Sequence, residues 1–227
     1  MTDEGKEVSK GKFIGVVTFV TFLLGLGMFI PANDFLWVEA WIVLILFYVF
    51  FINNILYFSK HDPDLIQKRS KPKFKEKWDK IVTFFTSIGF IPIFFVPGLD
   101  RQFGWSNVPI IVEIIGFIAF IMGVIIIFLT MKENSFLSKA VEIQEGHTVI
   151  TTGPYKIVRH PMYLGLIFFL TGWCLALGSL FSLIFVAFIV IGLIIRIVFE
   201  DKMLHEELEG YKEYAQKTKK KLIPFIW

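Results

Sequence analysis

The stretch MYLGLIFFLTGWCLALGSLFSLIFVAFIVIGLIIRIVF, Met162 to Phe199, decides the fold. It is apolar almost throughout and holds one charged side chain, Arg196, near its end. At about 1.5 Å of rise per residue it is too long for a single crossing of a hydrocarbon layer about 30 Å thick. Gly178-Ser179 lies near its middle and marks a tight turn. The stretch therefore reads as two crossings joined as a helical hairpin.

Four more apolar runs precede it. They cover about Phe13 to Ile30, Phe35 to Phe58, Ile81 to Val96 and Val108 to Met131. The first is stopped by Pro31 and the third is closed by Pro97-Gly98. Six crossings result, and the distribution of charge tests that count. With a cytoplasmic N-terminus, the inner segments hold 22 of the 23 Lys and Arg residues, and the outer turns hold only Arg101. Removing one crossing would scatter basic blocks to both sides, against the positive-inside rule. Both termini and the polar segments 59–80 and 132–161 are expected to face the cytoplasm. The fold class is all-α: a polytopic membrane protein of about six crossings, followed by a cytoplasmic C-terminal helix. Residues 1–131 form an N-terminal part of four transmembrane helices. Residues 132–227 form a second part containing the chemistry.

Composition agrees. Hydrophobic residues make up 55% of the 227, charged residues only 19%, and mean hydropathy is +0.66. A soluble domain would carry about a quarter charged residues. The single Cys174 lies in an apolar run, which excludes an intrachain disulfide framework or a cysteine-based metal site. The first apolar run is long for a signal peptide and is followed by Pro31, Asn33 and Asp34 rather than a small-residue cleavage site, so it reads as a retained span. Gly11/Gly15 and Gly25/Gly27 are candidates for close helix packing. Asn53-Asn54 and Glu113 are polar groups near or inside spans, divided evenly between structural and functional roles. Beyond Phe199, Met203, Leu204, Leu208, Tyr211 and Ala215 follow helical spacing, with a face for the membrane surface or for the protein. The run Lys219–Lys221 suits anionic headgroups or plain solvation equally.

The strongest local chemical signal precedes the hairpin: His147-Thr148-Val149-Ile150-Thr151-Thr152-Gly153-Pro154-Tyr155, then Arg159-His160-Pro161-Met162-Tyr163-Leu164-Gly165. Gly153-Pro154 is a turn. Pro161 suits the first position of a helix, whose free N–H groups and dipole favour a carboxylate-bearing ligand. The ordinary alternative is an interfacial loop with a snorkelling Arg159. Downstream, Arg196 and Glu200 are four apart and share one helix face, as a salt bridge or as two ligand contacts.

Both segments resemble the signatures of the isoprenylcysteine carboxyl methyltransferase family, membrane-embedded enzymes related to phospholipid methyltransferases. The first resemblance lies in Gly153-Pro154-Tyr155 and Arg159-His160-Pro161-x-Tyr163-x-Gly165. The second lies in Arg196-x-x-x-Glu200-Asp201, Tyr211-x-x-Tyr214 and Pro224-Phe225. It implies S-adenosylmethionine as cofactor. The implied cofactor contacts are His147, Thr148, Val149, Ile150, Tyr155, His160, Pro161, Met162, Tyr163 and Glu200, with Gln144 a further candidate. The implied contact to the acceptor carboxylate is Arg196, and Arg196 and Glu200 are the implied catalytic pair. No Gly-rich turn follows a strand, so a Rossmann-type site is not expected.

The implied reaction needs little chemistry from the protein. A sulfonium carries its own leaving group, and a carboxylate is already ionised at neutral pH, so neither metal nor general base is required. Positioning and exclusion of water remain. Arg196 suits a two-pronged grip on a carboxylate. The lipophilic acceptor, a prenylated cysteine or a lipid, enters sideways from the bilayer. Nucleic acid and metal are not expected as partners. Amine or phospholipid N-methylation, an NADPH-dependent sterol-type reduction and a non-enzymatic transporter or scaffold are the alternatives.

Overall fold

The computed structural model describes residues 10–70, 72, 74–224 and 226–227. Phe225 of the second motif, Lys71, Lys73 and the first nine residues lie outside them. Eight α-helices and one 3-10 turn make up the regular structure of the described residues. They are α1 (Lys10–Ala32), α2 (Val38–His61), α3 (Pro63–Ser70), α4 (Lys77–Phe103), α5 (Ile110–Glu133), α6 (Pro161–Ala176), α7 (Ser182–Glu207) and α8 (Tyr211–Lys217), with the 3-10 turn at Gly153–Lys156. Helices α1, α2, α4, α5 and α7 are long and apolar enough to cross a membrane. The protein is an all-α, polytopic integral membrane protein.

Helix α6 has only 16 residues, about 24 Å at the α-helical rise. Of the six crossings expected from the sequence, five have helices of spanning length and α6 is shorter; it lies antiparallel along α5. Three glycines permit this. A Cβ added to Gly116, Gly123 or Gly172 would lie 2.2, 2.4 or 2.2 Å from the backbone nitrogen of Ala176, Phe169 or Phe120. No side chain fits, so the backbones touch and gain dispersion contacts that lipid-facing side chains do not provide. Gly15 has no such role: a Cβ on it would meet nothing within 4 Å. Gly27 does abut α4, where a Cβ would lie 2.9 Å from the Phe95 ring.

The hairpin turn is present between α6 and α7, but its helices diverge: α6 packs on α5, and α7 packs on α4, with Gly89 against Ile189 and Gly192 against Thr86. Helix α4 also continues past Pro97-Gly98 to Phe103, ending at Gly104 with φ 63°. Here the Pro-Gly pair serves packing rather than turning. A Cβ on Gly98 would lie 2.4 Å from the Met28 carbonyl of α1. Asp100 then stays in the helix. It is 1% exposed and accepts hydrogen bonds from Ser106 N and Oγ (both 2.7 Å) and Ser179 Oγ (2.6 Å). That network ties the α4–α5 loop to the α6–α7 turn at one end of the bundle. Arg101 pairs there with Asp34 at 2.8 Å and holds its carboxyl below the usual range.

The sidedness inferred from Lys and Arg makes a prediction. Asn107, exposed in the α4–α5 loop, and Glu209, exposed after α7, lie at opposite ends of the bundle. Asn107→Cys is expected to react with an impermeant thiol reagent added outside intact cells, and Glu209→Cys only after permeabilisation. The buried Cys174 should stay silent. The reverse pattern would overturn the orientation.

Candidate active site

The end of the bundle where α7 leaves the membrane layer is knotted by one carboxylate. Asp201, 4% exposed, receives Nε and Nη2 of Arg159 at 2.9 and 3.0 Å and the Tyr211 hydroxyl at 2.9 Å. Lys221 Nζ stands 3.2 Å away and His160 Nε2 3.5 Å away. Arg159 also donates Nη1 to the carbonyls of Thr218 and Lys219, both at 3.1 Å. The backbone N–H groups of Arg159 and His160 reach the carbonyls of Lys220 and Lys221 at 2.9 and 2.8 Å. Arg159 is therefore a buried tie between the loop before α6, the end of α7 and the C-terminal segment, and not a snorkelling side chain. The lysine run contributes its backbone carbonyls to this tie, and Lys221 also its side chain, while Lys219 keeps an exposed side chain.

The apolar face beyond Phe199 lies on the protein. Helix α7 continues unbroken to Glu207, Gly210 turns the chain with φ 80°, and α8 begins. Leu208, Tyr211, Tyr214 and Tyr155 form a buried cluster with Val149, Ile150 and Leu204. Tyr214 donates to the Tyr155 carbonyl at 2.8 Å, and burial pushes its own pKa up to about 12. The Tyr155 hydroxyl accepts from the Asn134 amide at 2.8 Å. Gly153, with φ +55°, lets the turn begin directly against Glu133 at the end of α5.

These ties shape a cavity of about 1320 Å³. One end is lined by His147–Ile150, Tyr155, His160–Tyr163 and Glu200. The other end runs between phenylalanines of three helices, including Phe47, Phe50 and Phe51 of α2, Phe90 and Phe94 of α4 and Phe169 of α6. Helix α1 adds Phe13, Val16 and Val17, so the N-terminal spans contribute walls to the same space. Asn54 lines it too, donating to Phe50 O at 2.8 Å while its buried Oδ1 has no partner. Gln144 is not among the lining residues; its amide donates to Phe136 O at 2.7 Å and closes its own loop.

Arg196 and Glu200 both line the cavity but do not pair with each other. Arg196 Nη2 lies 3.0 Å from Oδ1 of Asp79 on α4, a carboxylate with no exposure. It also donates to the Lys139 carbonyl, and Nη1 donates to Thr83 Oγ1 at 3.2 Å. Its Nε is buried without a partner. Asp79 in turn accepts from Val141 N at 2.7 Å. Glu200 accepts the Tyr163 hydroxyl at 2.6 Å. Asp79 escapes sequence reasoning because it sits in the run Trp78-Asp79-Lys80, where a solvated acid among lysines is the ordinary expectation. Its partner is more than a hundred residues away.

His147 Nδ1 is buried without a hydrogen-bond partner, and His160 Nε2, also buried, has the Asp201 carboxylate 3.5 Å away. Both residues belong to the wall of the cavity. The His147 ring stacks on Phe136 with centroids 4.6 Å apart. Burial, and then the charge of Lys68, hold its pKa below the ordinary value, which keeps the ring neutral at pH 7.

Residues 114–206 match the model of the isoprenylcysteine carboxyl methyltransferase (ICMT) family. This bears out the resemblance carried by the two motifs. The matched segment takes in most of α5, the loop with the first motif, α6 and nearly all of α7. No curated protein matches the chain.

Proposed function

From the family match over residues 114–206, we propose that this protein transfers a methyl group from S-adenosylmethionine to the carboxylate of a lipophilic acceptor such as a C-terminal prenylated cysteine. The family match supports a methyltransferase acting on isoprenylcysteine. One observation carries the finer statement: a single cavity has a polar end made of the motif residues and an arm walled by phenylalanines. A cofactor with charged and adenine parts suits the first, and a prenyl chain suits the second.

The residues present fit the cofactor. His147, Thr148, Val149, Ile150, Tyr155, His160, Pro161, Met162 and Tyr163 form the wall of the polar end. Glu200, fixed by Tyr163, offers a carboxylate to a cationic group. When bound, S-adenosylmethionine supplies a methyl group on a sulfonium that leaves as a neutral thioether. The protein's own part is placement. Arg196 is held rigid by Asp79, Thr83 and the Lys139 carbonyl where it lines the cavity, and its guanidinium is the group that meets an acceptor carboxylate. The phenylalanine arm excludes water and orients the acceptor along the cavity.

His147→Ala and His160→Ala are each expected to weaken S-adenosylhomocysteine binding about 5- to 10-fold, the worth of one hydrogen bond near 1 kcal/mol. Titration calorimetry on detergent-purified protein measures this, and methyl transfer to a farnesylated cysteine analogue tests the reaction. Unaltered affinity in both variants would move the cofactor elsewhere. Wild-type protein that binds NADPH instead would replace the proposed chemistry.

A further inference from the structure

Helix α3, PDLIQKRS, is short and polar, yet it is firmly placed. Pro63 occupies its first position and the Asp62 carboxylate accepts from Leu65 N at 3.0 Å, which starts the helix. Leu65 is fully buried. Lys68 donates to the Ser135 carbonyl at 3.3 Å and lies over the Phe136 ring at 5.6 Å. These contacts dock α3 on the loop that carries the first motif. The next residue, Arg69, lines the same cavity as Arg196, Tyr155 and Tyr163.

Arg69 differs from every other arginine of the described residues. Arg101, Arg159 and Arg196 each have a carboxylate partner at 3.0 Å or less. Among the described residues the Arg69 side chain has neither an ion pair nor a hydrogen bond, and the ionisable groups that act on it are Tyr155, Tyr163 and Arg196, none of them a carboxylate. Burial is the largest influence and lowers its pKa, although a guanidinium stays charged in proteins. Arg69 is half-buried, and a cation partly withdrawn from water without a counter-charge is costly. Arg196, by contrast, is already neutralised by Asp79. A carboxylate entering the cavity therefore meets one arginine whose charge is compensated and one whose charge is not.

We propose that Arg69 is a second acceptor-binding residue, supplying the counter-charge for the acceptor carboxylate that Arg196 orients. This rests on the carboxyl-methylation reading above. The cavity then divides by charge: Glu200 faces cationic groups of the cofactor, and Arg69 and Arg196 face the anionic end of the acceptor. The assignment gives α3, which lies outside the family-matched segment, a direct part in choosing a carboxylate over a neutral headgroup.

The experiment compares wild type, Arg69→Gln and Arg69→Lys in detergent, using N-acetyl-S-farnesylcysteine as acceptor and its C-terminal carboxamide as a competing ligand. Arg69→Gln is expected to raise the acceptor KM about 10- to 100-fold, the range for losing a charge-assisted contact. S-adenosylhomocysteine affinity should remain within about two-fold, which also shows that the variant is folded. Inhibition by the neutral carboxamide should be the same in wild type and Arg69→Gln, because that ligand has no charge to lose. Arg69→Lys should recover part of the lost affinity. An unchanged acceptor KM in an active Arg69→Gln protein overturns the proposal while leaving the parent reading intact. Loss of cofactor affinity with an unchanged acceptor KM also overturns it, since the carboxylate served would be the cofactor's. A wild-type protein that methylates no carboxylate acceptor overturns both.

Discussion

Replacing Asp201 with Ala is expected to destabilise the protein by about 3–5 kcal/mol, the cost of removing one member of a buried ion pair. The loss is large because the carboxylate has so many dependants. Arg159 gives it two hydrogen bonds, Tyr211 a third, and Lys221 and His160 lie within 3.2 and 3.5 Å. Without it the Arg159 guanidinium, 8% exposed, keeps only backbone carbonyls as partners. The α6 entrance, the end of α7 and the C-terminal segment would lose their common anchor. Thermal unfolding in detergent measures the effect, and cofactor affinity should fall with it, because His160 is positioned by the same knot. The double variant Arg159→Met/Asp201→Leu should recover much of the stability but not the cofactor affinity, since a packed apolar pair needs no counter-charge. A loss below about 1 kcal/mol in Asp201→Ala would mean that the network is incidental.

Arg196→Lys is the second case. If Arg196 serves only as a brace to Asp79, lysine keeps the charge and the pairing, and transfer should change little beyond any loss of folded protein. If its fork must satisfy Asp79, Thr83 and the Lys139 carbonyl while also meeting an acceptor carboxylate, lysine cannot do both, having no fixed fork. Losing a hydrogen bond to a charged group costs roughly 1.5–3 kcal/mol, or about 10- to 100-fold in kcat/KM. Cofactor affinity should survive. The measurement is methyl transfer to a farnesylated cysteine analogue beside cofactor binding and thermal unfolding on the same sample. Near-normal transfer would return Arg196 to a bracing role. Loss of cofactor binding along with activity would place it in the cofactor site instead.

The sequence by itself determined that this is an all-α membrane protein, where most of its apolar helices lie and which family its C-terminal half resembles. These features are local: a run of about 20 apolar residues has few other options in water or lipid, and the motif residues are contiguous. The tertiary structure alone decided the partners. Pro97-Gly98 looks like a stop, yet becomes a packing surface because Met28 of α1 arrives there. The hairpin helices diverge because glycines on α5 and α6 allow a closer contact than the pair could make with each other. Arg196 and Glu200 share a helix face, yet Arg196 takes Asp79, a fully buried carboxylate on α4 that has no other ion-pair partner among the described residues, while Glu200 takes the Tyr163 hydroxyl. The second acid of the Glu200-Asp201 motif turns out to be the hub of Arg159, a link between two motifs some forty residues apart. Such choices depend on which buried charges and bare backbones meet in space, and no local spacing records that.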